Sequence, residues 1–242
     1  MAEVKIATAA HGSEYKDEAA NRLAIIFRDD PVITYMLSSL SPPARAAYIT
    51  QYFHTLTKAA VLSGGIFQQA ADWSCIAIWL PPNCRIDGTS TVLRAGFIPC
   101  ILKLGLGGAK RMLFDFQAQA DALKKRYLKD RGVTRFYYLF FIGTDEKARG
   151  QGLASKVIRA WQAKARAEGL PIWLEATTEG SKRVYERCGF GFCEEIVMGR
   201  GTHDGTGERR RGGDGVRMWG MVWWPERGEK GEGGEVETMN GS

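Results

Sequence analysis

The sequence has few cysteines and histidines, and neither set forms a pattern typical of a metal or disulfide site. The five cysteines are Cys75, Cys84, Cys100, Cys188 and Cys193. Their number is odd and none lies in a CxxC pair, which argues against a zinc ribbon and against a disulfide framework. The three histidines are scattered without the spacing of metal ligands, so the sequence predicts no metal site. These features favour a reducing compartment.

Long hydrophobic runs are also absent. No segment approaches the ~18 consecutive apolar residues that a membrane span requires. Glu3 and Lys5 lie where a signal peptide would have its apolar stretch. We therefore expect a soluble, cytoplasmic protein.

The composition is that of a globular protein. Of 242 residues, 45% are hydrophobic and 25% are charged, which excludes collagen-like, wholly disordered and membrane-embedded chains. We expect one domain over residues 1–225, with an exposed, mobile Gly/Arg-rich loop at about 200–215, and a disordered tail at 226–242. The net charge of +6 favours an anionic partner and leaves nucleic acid, a membrane surface and a phosphorylated cofactor open.

The pattern of apolar residues alternates between strands and helices. Predicted strands cover residues 4–8, 65–70, 73–80, 135–143, 171–176, 190–198 and 216–224. Predicted helices cover residues 20–27, 43–63, 90–104, 108–128, 150–168 and 180–188. This order predicts a mixed α/β fold.

The most informative segment lies between residues 140 and 169. A hydrophobic strand ends at Gly143, and after a polar turn Arg149 and two glycines precede a helix. The predicted buried face of that helix is Leu153, Val157, Ala160 and Trp161. A helix N-terminus has unpaired N–H groups, and glycines let a phosphate approach them closely. The residues alone leave two interpretations open: a pyrophosphate site, or a glycine-rich turn without a ligand.

Two motifs in this half of the chain resemble those of the GNAT acyltransferase superfamily. Arg149-x-x-Gly152-x-Ala154 is similar to the cofactor signature Q/R-x-x-G-x-G/A, and it likewise lies between a strand and a helix. Downstream, Tyr185 begins a stretch similar to the motif Y-x-x-x-G-F. The stretches AIIFRDDP and IAIWLPP extend the likeness to puromycin N-acetyltransferase-like members, over about residues 4–224.

The resemblance implies a GNAT fold, a twisted mixed sheet of about six to seven strands with helices on both faces. It implies that acetyl-coenzyme A lies between two splayed central strands. The implied cofactor contacts are Phe141, Ile142, Gly143, Arg149, Gly150, Gln151, Gly152, Leu153, Ala154 and Ser155. The sequence departs from the closer relatives at Thr178, where many have Asn, in the large loop at 200–215, and in residues 85–130, which leaves the acceptor open.

The resemblance also implies direct acetyl transfer to an amine through a tetrahedral intermediate. Tyr185 would protonate the departing thiolate, and a tyrosine in the core of a short helix is the alternative. Glu175 lies near the end of a predicted strand, where it is either a general base, directly or through water, or a structural acceptor for neighbouring backbone. The absence of a G-x-S-x-G elbow agrees with a reaction that needs no enzyme nucleophile.

The acceptor is predicted to be the primary amine of a small molecule, with no membrane partner. The predicted substrate contacts are Asp29, Asp30, Tyr35 and Trp79. The apolar helical pair at about 85–130 would roof this side of the site. Acetylation of protein lysines or N-terminal amines is the second reading. A non-catalytic acyl-CoA-binding or nucleic-acid-binding module is the third, and the positions of Tyr185 and Glu175 argue against it.

Overall fold

The structure, a computed structural model, describes residues 4–225. The predicted disordered tail at 226–242 lies outside the described residues. The strands of the described part are β1 (Ile6–Ala9), β2 (Ile66–Ala70), β3 (Cys75–Leu80), β4 (Tyr137–Thr144), β5 (Ile172–Ala176), β6 (Gly191–Met198) and β7 (Val216–Trp223). All seven belong to one sheet, in the order β1-β2-β3-β4-β5-β7-β6.

Eight α-helices connect these strands in the described part. They are α1 (Lys16–Ile26), α2 (Pro31–Met36), α3 (Pro42–Leu62), α4 (Thr89–Ala95), α5 (Phe97–Lys110), α6 (Gln119–Tyr127), α7 (Leu153–Ala167) and α8 (Glu179–Arg187). A π-helical segment, Arg111–Ala118, joins α5 to α6. No helix of residues 4–225 is both long enough and apolar enough to cross a membrane.

The sheet is mixed and covered on both faces. The β4/β5 pair is parallel, and the five other pairs are antiparallel. All six residues of β3 are buried. Ala77 and Trp79 pack with α7, whereas Ile76 and Ile78 pack with α1 and α3. A strand between two helical layers must be apolar at every position, which explains the continuous run CIAIWL. The predicted mixed α/β fold with helices on both faces is confirmed.

Helix α2 is missing from the sequence-based prediction. Asp30 and Pro31 were expected to stop the preceding helix, and they also begin the next one. Asp30 Oδ1 accepts hydrogen bonds from the backbone N–H groups of Val32 at 2.9 Å and Ile33 at 3.1 Å. Asp at the N-cap followed by Pro is a typical start of a helix, so the signal was present.

The helical pair predicted at 90–104 and 108–128 has different boundaries. Gly96 in the left-handed region (φ 98°) separates α4 from α5, and α5 then continues through the π-helical segment into α6. In α7, Ala160 is exposed and Ile158 is buried, which corrects the predicted buried face at one position.

The segment at 200–215 was predicted to be an exposed loop, and around His203 this is wrong. His203 is 5% exposed, and its Nε2 lies 2.9 Å from Ser38 Oγ at the end of α2. Gly207 packs so closely on α2 that a Cβ would lie 2.3 Å from the backbone oxygen of Pro31. Composition alone does not show this packing, because the contacts are made by glycines and by one histidine.

Acidification is expected to destabilise the protein through His203. Burial lowers the pKa of His203, and the cations of Arg111 and Arg209 lower it further. The unfolded chain therefore binds this proton more readily than the native chain, so the free energy of unfolding falls as pH falls below ~6.5. Urea unfolding at pH values above and below this point measures the loss.

The matched variants for this measurement are His203→Gln and His11→Gln. The glutamine of His203→Gln retains a hydrogen-bonding group but does not titrate, so the stability of this variant should change less with pH than that of the parent. His11 is exposed, and His11→Gln is the control for replacing a histidine by glutamine. Equal pH dependence in the parent and His203→Gln would contradict the assignment.

Candidate active site

Strands β4 and β5 separate part-way along their length. Tyr137 pairs with Ile172 and Tyr138 pairs with Trp173. Within residues 4–225 no further residue pair joins the two strands. Beyond this point β4 remains paired with β3, with a register shift that leaves Phe140 unpaired. A bulge of this kind bends its strand and redirects its backbone. The sheet therefore opens between its two parallel central strands.

A cavity of about 1240 Å³ occupies this opening. Residues 138–144 of β4 line it on one side, and Glu175 with Thr177 line it at the end of β5. The predicted cofactor contacts Phe141, Ile142 and Gly143 are thus all on its wall. The turn before α7 and residues of helices α1 to α5 also line it.

The turn before α7 presents free backbone to the cavity. Gly150 (φ 80°) and Gly152 (φ 74°) are left-handed, and a Cβ at either position would have no protein atom within 4 Å. Gly152 is the N-cap of α7 and no side chain caps the helix, so the first N–H groups of α7 lack a side-chain partner. The glycines therefore serve the conformation of the turn and its accessibility, not close packing inside the protein.

Three cations line the cavity, and the carboxylates of Asp145 and Glu146 in the same turn line it as well. Arg149, predicted from the motif, lines it together with Lys147 and Arg187, which the motif does not include. The predicted residues Gly150, Gly152, Leu153, Ala154 and Ser155 also line the cavity. Gln151 is exposed and does not line it. Unpaired N–H groups and nearby cations together favour an anion such as a pyrophosphate.

Tyr185 has a position compatible with both alternatives that the sequence left open. Its ring is buried in α8 near Phe190, with ring centroids 6.0 Å apart, and it also lines the cavity. Burial raises the pKa of Tyr185, and the carboxyl group of Asp30 raises it further. The hydroxyl therefore keeps its proton at neutral pH and can donate it.

Glu175 is held by side chains and not by backbone. Its Oε1 accepts a hydrogen bond from Trp173 Nε1 at 2.7 Å, and its Oε2 accepts one from the Tyr138 hydroxyl at 2.6 Å. Lys124 Nζ lies 3.9 Å from Oε1, and the Glu175 side chain is 4% exposed. The structural alternative, in which Glu175 accepts hydrogen bonds from neighbouring backbone, is wrong about the donors, which are side chains. Burial and Glu175 together raise the pKa of Tyr138, which also lines the cavity.

The four predicted substrate contacts divide into two pairs. Asp29 and Asp30 line the cavity. Asp29 is exposed and forms no ion pair within residues 4–225. Asp30 is engaged in capping α2 and also accepts a hydrogen bond from Thr177 Oγ1. Asp29 is therefore the more available carboxylate.

Tyr35 and Trp79 lie elsewhere, and their prediction as substrate contacts is corrected. Tyr35 is buried, donates a hydrogen bond to Asp115 Oδ2 at 2.8 Å, and does not line the cavity. Trp79 is buried against Trp161, with stacked rings 4.8 Å apart, on the α7 side of the sheet. Its Nε1 donates a hydrogen bond to Gln68 Oε1 at 2.8 Å. Both side chains are structural.

The insertion between β3 and β4 forms a wall of the cavity. Apolar residues of α4, α5 and the π-helical segment line it, as do residues of α1, α2 and α3. From the insertion these are Ile86, Val92, Phe97, Ile101, Met112 and Phe116. This wall of the cavity is therefore apolar, and Asp29 and Asp30 are among the polar groups that also line the cavity.

Residues 120–190 match the model of the acetyltransferase (GNAT) family. This segment contains both strands of the opening, the glycine turn and Tyr185. This part of the chain is therefore similar to GNAT acetyltransferases. A curated relative, an uncharacterized N-acetyltransferase of Schizosaccharomyces pombe, is 29% identical over 194 residues, 79% of this chain and 78% of the relative.

Solved structures share the fold of this chain at low sequence identity. Arylalkylamine N-acetyltransferase 2 of Aedes aegypti has a TM-score of 0.59 at 19% identity, covering 93% of this chain and 100% of that one. A structure described as histone acetyltransferase HPA2 and related acetyltransferase, from Corynebacterium glutamicum, has a TM-score of 0.58 at 18% identity, covering 94% of this chain and 99% of that one. Drosophila melanogaster polyamine N-acetyltransferase has a TM-score of 0.58 at 14% identity, covering 92% of this chain and 100% of that one.

Sequence reasoning missed several residues of the candidate site. Lys147 and Arg187 follow no motif, and only the closeness of the 3₁₀ turn Glu146–Ala148 and the end of α8 to the cavity identifies them. Tyr138 was part of an aromatic run that reads as core. Its alternation within β4 was the available signal, because neighbouring strand residues point to opposite faces.

Proposed function

We propose that this GNAT protein transfers the acetyl group of acetyl-coenzyme A directly to the primary amine of a small molecule. The observation that carries the proposal is the shape of the cavity between β4 and β5. Its lining combines the free N–H groups of the turn before α7 and three cations with apolar walls from the insertion and the exposed carboxylate of Asp29. These features suit an anionic donor and a cationic acceptor.

The residues present fit acetyl-coenzyme A. The open glycine turn has room for phosphate oxygens, because no Cβ contact restricts the approach to Gly150 or Gly152. Lys147, Arg149 and Arg187 offset the phosphate charge. Along Phe141, Ile142 and Gly143, β4 has no partner strand on its β5 side, so the backbone groups that do not bond to β3 are available to an extended chain. When bound, acetyl-coenzyme A supplies an acetyl thioester, whose carbonyl is open to attack by a neutral amine.

Two side chains handle protons in this proposal. An ammonium group must lose a proton before it can attack, and Glu175 accepts that proton directly or through a water. Tyr138 and Trp173 hold the carboxylate in a fixed orientation, while Lys124 compensates its charge. Tyr185 holds its proton until the carbon–sulfur bond breaks and then donates it from Oη to the departing thiolate. The proton that the attacking nitrogen loses on forming the amide returns through water to Tyr185.

The acceptor class follows from the apolar end of the cavity. Aromatic and aliphatic walls bury the body of a compact amine, and Asp29 attracts its cationic head. Arylalkylamine and polyamine acetyltransferases are among the structural neighbours, which supports a small amine. The resemblance to puromycin N-acetyltransferase-like members, which rests on sequence motifs, points to the same class.

Acetylation of a protein amine is the second candidate function. The neighbour from Corynebacterium glutamicum, whose name includes histone acetyltransferase, favours it. The insertion argues against it, because α4 and α5 occupy the side where an extended peptide would need an open groove. The geometry therefore favours a small acceptor.

A side-by-side assay of acceptors tests the proposal. Aromatic primary amines, polyamines, aminoglycosides and lysine peptides are compared in kcat/KM, with release of free thiol as the readout. We expect a small amine to exceed every peptide by about tenfold or more, a gap of ~1.4 kcal/mol in transition-state binding. Peptides that exceed the small amines would overturn the small-molecule proposal. Absence of transfer to any amine would favour the non-catalytic module.

A further inference from the structure

Helices α4 and α5 expose a row of aliphatic side chains to solvent. Leu93 is 57% exposed, Ile98 47%, Leu102 77% and Leu106 91%. Ile98 and Leu102 are four residues apart and share one face of α5, and Leu106 follows the non-helical Gly105. Most large apolar side chains of the described residues are buried. A continuous row of four is therefore a feature that needs an explanation.

Packing inside the protein does not account for this row. Phe97, Cys100 and Leu104 cover the inner side of α5, and Ile101 lines the cavity. These residues already fix the helix on the protein. The backbone at Gly105 is left-handed (φ 67°, ψ −176°) and interrupts the helix just before Leu106. The most exposed leucine thus stands on a turn that points away from the core.

The charges around the row have one sign. Arg94, Lys103 and Lys110 are exposed beside it. The sequence contains no Asp or Glu between Asp87 and Asp115. Arg94 and Lys103 have no ion-pair partner in the described part of the chain, whereas Lys110 pairs with Asp115. The surface combines exposed aliphatic groups with uncompensated positive charge.

We propose that this α4–α5 surface, formed by Leu93, Arg94, Ile98, Leu102, Lys103 and Leu106, binds to a lipid bilayer that contains anionic headgroups. Helices that lie in a membrane interface insert aliphatic side chains below the headgroups and place cations at the phosphates. The four aliphatic side chains and the two free cations provide both components. The helix lies on the bilayer and does not span it, which agrees with the absence of a spanning helix in residues 4–225.

Charge complementarity favours a bilayer over a second copy of the chain. A two-fold symmetric contact would set Arg94 and Lys103 of one copy close to the same residues of the other. That repulsion has no compensating carboxylate on the α4–α5 surface. The chain outside the structure is also a poor cover, because residues 226–242 contain Val236 and Met239 as their large apolar residues.

The sequence-based prediction of no membrane partner came from the lack of long apolar runs. Such runs report on spanning segments and not on surfaces. Residues 97–110 look like an ordinary buried helix in the sequence, and the structure shows that the residues at 98, 102 and 106 face outward. The sequence alone does not show which side of an apolar helix is exposed, because that depends on which side the rest of the protein covers.

Vesicle flotation tests the proposal with the full chain. Vesicles of phosphatidylcholine with phosphatidylserine are compared with vesicles of phosphatidylcholine alone. We expect binding to the anionic vesicles, and a decrease in binding as salt is added, because salt screens the contribution of the cations. The double variants Leu102→Ser with Leu106→Ser, and Arg94→Gln with Lys103→Gln, should each reduce the fraction bound by about fivefold or more.

Matched controls carry the same substitutions elsewhere. Phe192→Ser removes another exposed apolar side chain, on β6, and Arg183→Gln removes another exposed cation, on α8. Both should bind vesicles like the parent, and all variants should retain the parent melting temperature within a few degrees. The proposal is overturned if the parent floats with neither vesicle, or if the α4–α5 variants float as well as the controls. It is also overturned if sedimentation shows a dimer that the α4–α5 variants dissociate while no vesicle is bound.

Discussion

Replacing Gly152 with glutamate is expected to weaken acetyl-coenzyme A binding by about 30-fold or more, ~2 kcal/mol. Gly152 is the N-cap of α7, and its open surroundings leave the following N–H groups accessible from the cavity. A glutamate there adds volume at the point where phosphate oxygens would approach, and it adds a negative charge beside them. Titration calorimetry of the variant with acetyl-coenzyme A measures the effect.

Gly169→Glu is the matched control for this variant. Gly169 follows the other end of α7 and has a similar left-handed backbone (φ 66°), and a Cβ at this position would likewise have no protein atom within 4 Å. The backbone strain and the added charge are therefore nearly the same, but the site is remote from the cavity. We expect Gly169→Glu to bind acetyl-coenzyme A within about twofold of the parent. Unchanged affinity in a folded Gly152→Glu variant would show that the phosphates of acetyl-coenzyme A do not bind at this turn.

The cofactor end of the site was predictable because its signals are local. A strand, a polar turn, Arg149, two glycines and an amphipathic helix follow one another within about 30 residues, and the chemistry of a helix N-terminus depends on backbone. The structure places these elements at the cavity as expected. Gln151 is the exception, since consecutive residues of a turn face different directions and a motif does not say which.

The acceptor end was less predictable because its residues come from distant parts of the chain. Trp79 ends a strand that is apolar on both faces, so the sequence did not show whether it faces the α7 side or the cavity side of the sheet. Tyr35 lies on a helix that the prediction omitted. On this helix, α2, the hydroxyl of Tyr35 donates a hydrogen bond to Asp115 and its ring packs on His203, so the side chain lies away from the cavity.

The hydrogen bonds of Glu175 required strand register. Trp173 and Glu175 share a face of β5, which the alternation of side chains predicts. Tyr138 belongs to β4 and pairs with Trp173 across the parallel ladder, and this register is fixed by packing between segments that are far apart in sequence. The sequence therefore predicts the carboxylate and its neighbour Trp173 but not its second donor.

Removing the hydroxyl of Tyr185 is expected to lower kcat on the order of 100-fold while acetyl-coenzyme A affinity stays within about twofold. Tyr185 lines the cavity, and burial and Asp30 raise its pKa, so it holds a proton at neutral pH. Tyr185→Phe removes this donor and preserves the packing of the ring on Phe190. Steady-state kinetics with the best acceptor of the panel, together with calorimetry, separate turnover from binding.

Tyr137→Phe is the control for this loss. Tyr137 is also a buried tyrosine whose hydroxyl is hydrogen-bonded, to Glu168 Oε2 at 2.7 Å, but it does not line the cavity. Its replacement should cost some stability and leave kcat close to that of the parent. If Tyr185→Phe and Tyr137→Phe both retain turnover, Tyr185 is a core residue and the proton must reach the leaving group from water. If both lose it equally, the loss reflects packing and not proton donation. A large loss confined to Tyr185→Phe, with cofactor binding intact, is the result that the position of its hydroxyl in the cavity leads us to expect.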